Sequence, residues 1–179
     1  YQGRASGELV ITKAIATINI GNLTQEYDGE AKLISVTTSP AGLTSIIKYN
    51  GTDLQPVSAG KYDVTVALND SRYQGSWSGT LTIEKAEASI EFANLINIVD
   101  GTPKAGVITS TPSGLNLVVK YLNSEGETLG SAPSAVGVYQ VEATVSENNY
   151  FGGLTKTLKI NAKDPFGSPV TYPQISAQL

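Results

Sequence analysis

The chain repeats itself, and the repeat sets the scale of anything it can fold into. Residues 16–51 lie over residues 88–123 without a gap, with 13 identities in 36 positions. These include Asn22/Asn94, Leu23/Leu95, Asp28/Asp100, Gly29/Gly101, Lys32/Lys104, Pro40/Pro112, Lys48/Lys120 and Tyr49/Tyr121. Five extra residues follow in the second copy, around Ser124–Leu129, after which Gly60, Tyr62, Val64, Tyr73, Gly75, Leu81 and Ile83 match Gly137, Tyr139, Val141, Tyr150, Gly152, Leu158 and Ile160. The period, 72 to 77 residues, is too long for a one-hairpin solenoid. It suits a small complete domain, so each copy must close its own core. A third partial copy opens the chain: Tyr1–Ala14 matches Tyr73–Ala86 at 9 of 14 positions. The expected organisation is therefore 1–14 as the last strand of a preceding repeat, 15–86 and 87–163 as two β domains, and 164–179 as a linker or the start of a following segment. On this reading the parent protein continues upstream with more copies.

Within each copy the apolar residues alternate. Tyr62, Val64, Val66 and Leu68 share one face, against Lys61, Asp63, Thr65 and Asn69 on the other. Tyr139, Val141, Ala143 and Val145 repeat the pattern. A period of two marks half-buried strands. Asp28-Gly29, Ser39-Pro40, Asn50-Gly51, Asp100-Gly101 and Thr111-Pro112 punctuate the runs as turns. The spacing predicts strands near 16–20, 31–38, 45–50, 61–69 and 76–84. The second copy has them near 88–92, 104–110, 116–122, 138–146 and 153–161. No segment has helical spacing with caps. The fold class is all-β: two tandem small antiparallel β-sandwiches of immunoglobulin-like type in an elongated arrangement. A β-grasp-like sheet is the alternative, but it needs a helix. The join Glu84-Lys85-Ala86-Glu87 has no Gly or Pro and limits bending.

Composition narrows the chemistry. The chain has no Cys, His or Met and a formal net charge of -4. Cys- or His-based zinc sites, iron–sulfur clusters, haem ligation by these residues and Ser-His-Asp or Cys-His catalysis are out. The acidic balance argues against nucleic acid, which calls for a basic stripe, and no apolar run approaches a membrane span.

An ordered set of short motifs carries a family likeness. Tyr27-Asp28-Gly29 is followed by Ser39–Leu43, Lys48–Gly51, Ala59–Val64, Tyr73-Gln74-Gly75 and Leu81–Ala86. The set resembles the MBG or YDG-type tandem repeats of bacterial cell-surface adhesins and, more loosely, bacterial immunoglobulin-like domains. The likeness covers about 160 of 179 residues; the second copy departs from it where Val99 replaces the Tyr. The resemblance implies an extracellular, cell-surface location and a non-enzymatic stalk or spacer role. It brings no catalytic residues, no cofactor and no metal.

Candidate sites are few. Trp77 alternates with Leu81 and Ile83 and reads as core or core rim. Tyr62 and Tyr139 read as inward rings with backbone-bonded hydroxyls. Asp28-Gly29 and Asp100-Gly101 alone fall short of the six to eight oxygens calcium takes, whereas Asn69-Asp70-Ser71 and Glu147-Asn148-Asn149 offer more oxygens in one loop; the expectation is no metal site. A Lys–Asn isopeptide crosslink among Lys32/Lys104, Lys48/Lys120 and Asn22/Asn94 requires a Lys in the apolar core, and Lys48 falls on the polar parity. The alternative function is a binding module for a glycan or host protein through exposed loops. Its candidate ligand-binding residues are Phe151, which stands where the other copies have Gln, and Tyr150 beside it. The expected partners are neighbouring repeats of the same chain and a glycan or protein ligand, without nucleic acid or membrane insertion.

Overall fold

The computed structural model describes residues 2–4 and 7–163. They are all-β and divide into two compact units, Tyr1–Lys85 and Ala86–Leu179. Unit 1 runs β1 (Ala14–Ile15), β2 (Thr17–Gly21), β3 (Thr24–Glu26), β4 (Ser35–Ser39), β5 (Ser45–Tyr49), β6 (Gly60–Leu68), β7 (Tyr73–Gln74) and β8 (Ser76–Glu84). The two larger facing sheets are the antiparallel pair β2–β4 and the four strands in the order β3-β8-β6-β5, and the two-residue strands β1 and β7 form a separate parallel pair. Inward residues of both meet in a core of Ile34, Tyr49, Val64, Val66, Leu81 and Ile83, with Ile18, Ile20, Val36 and Trp77 packed against it. This is an immunoglobulin-like sandwich. Among the described residues there is no helix of the kind a β-grasp needs.

Unit 2 repeats the plan with β9 (Ala86–Glu87), β10 (Ser89–Ala93), β11 (Ile96–Ile98), β12 (Val107–Thr111), β13 (Leu117–Leu122), β14 (Thr128–Leu129), β15 (Gly137–Val145), β16 (Tyr150–Phe151) and β17 (Gly153–Asn161). Its sheets are β10–β12, β11-β17-β15-β13-β14 and the short parallel pair β9–β16. The five-residue insertion builds β14, which lies antiparallel on β13 with Tyr121 opposite Leu129.

Three features depart from the sequence expectations. The strands predicted over 31–38 and 104–110 begin only at Ser35 and Val107. Before those points the backbone is diverted across the unit, with Lys32 N–H donating to Pro56 O and Lys104 N–H to Pro133 O, each at 2.8 Å. Second, the sheets are not purely antiparallel: β3 runs parallel to β8, and β11 to β17. These three-residue strands follow Asn22 and Asn94, at φ +58° and +56°. Asn tolerates this left-handed conformation better than most residues. The kink lets one chain segment leave the first sheet and join the second. Third, no strand forms in residues 7–13, although they match part of β8. β8 is a strand because β6 and β3 bond both its edges; residues 7–13 meet no such edges. The proposed linker 164–179 lies outside the described residues.

Candidate functional site

Two places bear the recurring polar and aromatic residues: the Asp-Gly turn and the bend between each unit's last two long strands. At the turn, Asp28 Oδ1 accepts from Glu30 N–H at 2.9 Å, and Gly29 takes φ +88°. Asp28 Oδ2 pairs with Lys32 Nζ at 2.5 Å. Unit 2 repeats this: Asp100 accepts from Thr102 N–H at 2.9 Å, from Thr102 Oγ1 at 2.6 Å and from Lys104 Nζ at 2.6 Å, beside Gly101 at φ +83°. Lys32 is buried, so its stem packs inward while its ammonium is neutralised at the rim. The lysine holds Asp28 below the usual carboxylate range, helped by Glu30 N–H. Asp100 is lowered by Lys104 first and then by Thr102. The recurrence of Lys32 and Lys104, weighed above as crosslink chemistry, has its reason in this ion pair. Neither Asn22 nor Asn94 is needed to explain it, since both serve the sheet switch.

At the bend, Tyr150 and Phe151 form β16, which runs parallel to β9 with Phe151 opposite Glu87. Adjacent strand residues point to opposite faces. Tyr150 therefore packs on the core formed by Ala88, Ile90, Ala143 and Val145, while Phe151 is turned outward and 50% exposed. The two expected ligand residues thus do not form one surface. Gly152 follows because a Cβ there would collide with Ala88 O. In unit 1 the same place holds Gln74 and Gly75, where a Cβ would meet Ala16 O at 2.9 Å. The glycine of Tyr-Gln-Gly is a close-approach glycine that lets the incoming chain bond the bend, Ala16 N–H to Gln74 O at 3.0 Å and Ala88 N–H to Phe151 O at 2.8 Å.

The remaining expectations fall into place as packing. Tyr62 Oη donates to Ser58 O at 2.7 Å and Tyr139 Oη to Ala135 O at 3.1 Å, each ring lying against the glycine two residues earlier. Trp77 packs on the core with its ring over Gly79. The oxygens of the acidic loops tie the loops themselves. Asp70 Oδ1 accepts from Arg72 and Tyr73 N–H at 2.7 and 3.0 Å, which lowers its pKa. Glu147 Oε1 accepts from Asn116 N–H and Nδ2 at 3.0 and 2.7 Å. Among the described residues no three carboxylates converge on one point. Beside the insertion lies an open groove of about 370 Å³ bordered by Asn123, Ser124, Val136 and Tyr139. It holds no charged side chain.

These units define a class, tandem immunoglobulin-like β-sandwich modules. The chain belongs to the MBG domain family, which matches it twice, over residues 16–87 and 88–164. No curated protein sequence matches the chain. Among solved structures it is similar to a Dscam structure titled for the basis of isoform specificity, at 16% identity and TM-score 0.40, covering 86% of this chain and 47% of that one. It is also similar to the N-terminal four Ig domains of Dscam1 isoform 6.9, at 15% identity and TM-score 0.37, covering 89% and 49%. The chain spans about half the length of these structures, and the family assignment rests on the repeat match.

Proposed function

We propose that the chain is a non-enzymatic spacer: consecutive repeats of a large secreted or surface-anchored bacterial adhesin-like protein that hold a distal functional domain away from the cell. The observation that carries this reading is the join. β8 ends at Glu84 and β9 starts at Ala86, so one residue, Lys85, separates the last strand of one repeat from the first of the next. A linker that short leaves few free dihedrals. The family match supports a repeat module, and no helix among the described residues is long and apolar enough to cross a membrane. Small-angle scattering on this chain, alone and with calcium, tests the reading. An elongated particle unchanged by calcium is expected. A compact or flexible particle that stiffens with calcium would reject a spacer set by covalent linkage alone.

A second reading, binding of a glycan or host protein, has one observation in its favour: Phe151 presents an exposed ring where unit 1 has Gln74. If it is right, Phe151→Gln abolishes retention on the ligand while Tyr150→Phe leaves retention intact, since Tyr150 faces the core. Equal loss from both would point to folding instead.

A further inference from the structure

The free edge of the larger sheet in unit 2 is built unlike that of unit 1. β11 and β3 hold the same place in the two repeats, each ending its sheet, and among the described residues no strand lies beyond either. In unit 2 the ladder bonds run through the neighbours of the isoleucines: Lys159 N–H donates to Leu95 O at 2.8 Å and Val99 N–H to Asn161 O at 2.9 Å. Backbone groups alternate in direction along a strand, so the N–H and C=O of Ile96 and Ile98 point away from β17, along the free edge. Their side chains share the sheet face of Lys159, opposite the buried Ile160. Ile96 is 73% exposed, the most exposed large apolar residue of unit 2 among the described ones. β3 presents Thr24 and Glu26 at these positions, both exposed. A charge on an edge strand guards it against pairing with another chain, and β11 lacks that guard. The β3 edge stays unpaired although a further repeat follows it, so a following repeat is not what covers this place.

We infer that β11 pairs with the β11 of a second copy of this chain, antiparallel about a twofold axis at Asn97. The edge complements itself. Ile96 of one copy faces Ile98 of the other, and the reverse, so the outward groups exchange four backbone hydrogen bonds and the isoleucines of both copies form one apolar block. Asn97 meets its own counterpart on the axis, as a non-hydrogen-bonded pair. Contacts of this isologous kind are the commonest in soluble oligomers. Charge permits the match. β11 itself carries none, and in register Lys159 lies beside Ile96 while Asn161 lies beside Ile98. The axis therefore sets each lysine in line with the partner's Asn161, not with a second lysine. The two β17 strands stand three strand spacings apart, about 14 Å, beyond the ~8 Å screening length of physiological salt. The same pairing through β3 would bring Glu26 and its register neighbour Glu84 from each copy into one small contact. Three residues a side fall well short of the ~1,200–2,000 Å² of a standard interface, so the dimer is weak, with a Kd of about 0.1–1 mM. The inference goes beyond the spacer reading and does not depend on it.

Asn97→Cys tests the axis, in a chain that has no other cysteine. The Cα atoms of such a pair lie about 4.5 Å apart, within the span of a disulfide. The control is Gln25→Cys, the same place in unit 1; each substitution removes a side-chain bond to the preceding left-handed asparagine, Asn94 O or Asn22 O. Under mild oxidation N97C should form a covalent homodimer roughly ten times faster than Q25C, because pairing raises the effective thiol concentration. Equal rates mean random collision and overturn the inference. Sedimentation velocity of the unaltered chain should show a monomer–dimer equilibrium as concentration rises to about 1 mM, and its absence there overturns the inference too. I96T/I98E gives β11 the outward residues that β3 already carries in a folded unit, so it should stay folded and monomeric over the same range. A dimer that persists in this variant lies on another surface and overturns the inference. If the variant does not fold, the comparison of N97C with Q25C decides alone. Adding T24I/E26I to the I96T/I98E chain should restore the dimer through unit 1; failure to restore it would show that the isoleucine edge does not make the contact.

Discussion

Units 1 and 2 share a fold and differ in how they close its open side. In unit 1, Ile34 is buried and its N–H donates to Tyr49 Oη at 3.3 Å inside the core. Unit 2 has Gly106 at the position of Ile34, at φ +72°, and Leu95 Cδ2 lies 3.1 Å from where a Cβ would sit. There the equivalent hydroxyl, Tyr121 Oη, donates outward to Ala105 O at 3.1 Å. One tyrosine accepts and the other donates, at the same place in the repeat. Unit 2 also carries the β13–β14 hairpin, whose loop is tied by Asn123 Oδ1 accepting from Glu125 and Glu127 N–H at 3.0 and 2.8 Å. Unit 1 ends the matching strand in a tight Asn50-Gly51 turn, both residues at positive φ, with Tyr49 and Thr52 exchanging backbone bonds at 2.8 and 3.0 Å. The lesson is that the framework of long strands tolerates an exchanged core residue and a lengthened hairpin, provided buried polar groups still find partners.

The comparison can be broken first at the centre of each core. Leu81 and Leu158 are both fully buried. Leu81→Ala and Leu158→Ala should each cost about 2–5 kcal/mol, confined to the unit that holds the leucine. Hydrogen exchange resolved by unit checks this; loss of protection in both units from either substitution would show that they fold as one. A smaller difference lies in the tyrosines. Tyr49→Phe strands the buried Ile34 N–H and should cost about 1–3 kcal/mol, whereas Tyr121→Phe removes an exposed bond and should cost about 0.5–1.5 kcal/mol. Urea midpoints of the two variants give the order, and the reverse order would contradict the burial argument. The smallest effect is acid sensitivity. Asp28 and Asp100 have depressed pKa values in the fold, so their contribution is present above the ordinary carboxylate range and fades as pH falls through the folded values. The Asp100 turn, with two partners besides its own backbone bond, should persist to lower pH than the Asp28 turn. Residue-resolved NMR titration of the two carboxyls reads this directly.

Much of this is legible in the amino-acid sequence. The alternation at Tyr62–Leu68 and Tyr139–Val145 marks β6 and β15 because a two-sided strand records its burial in every second residue. The inward tyrosines and the Asp-Gly turns were legible for the same local reason. β3 and β11 were not: Thr24-Gln25-Glu26 carries no alternation, and it is a strand because β8 offers a free edge. β1, β7, β9 and β16 leave no mark in the sequence either, being two-residue pairings supplied by a partner. The opposite orientations of Tyr150 and Phe151 follow from strand parity once β16 is known to be a strand, and nothing in Asn149-Tyr150-Phe151 announces that. Lys32 and Lys104 showed their recurrence without their reason, which needs the turn to bring position i+4 back onto the aspartate.

The sequence by itself determined the repeat, the all-β class, the inward faces of the long strands and the turns between them, because each is written in neighbouring residues and their preferred dihedrals. Tertiary structure alone decided where strands begin, which short segments become strands, and which hydroxyl donates. Those outcomes depend on hydrogen-bonding groups brought together from distant parts of the chain, and a backbone N–H takes the partner that folding sets in front of it.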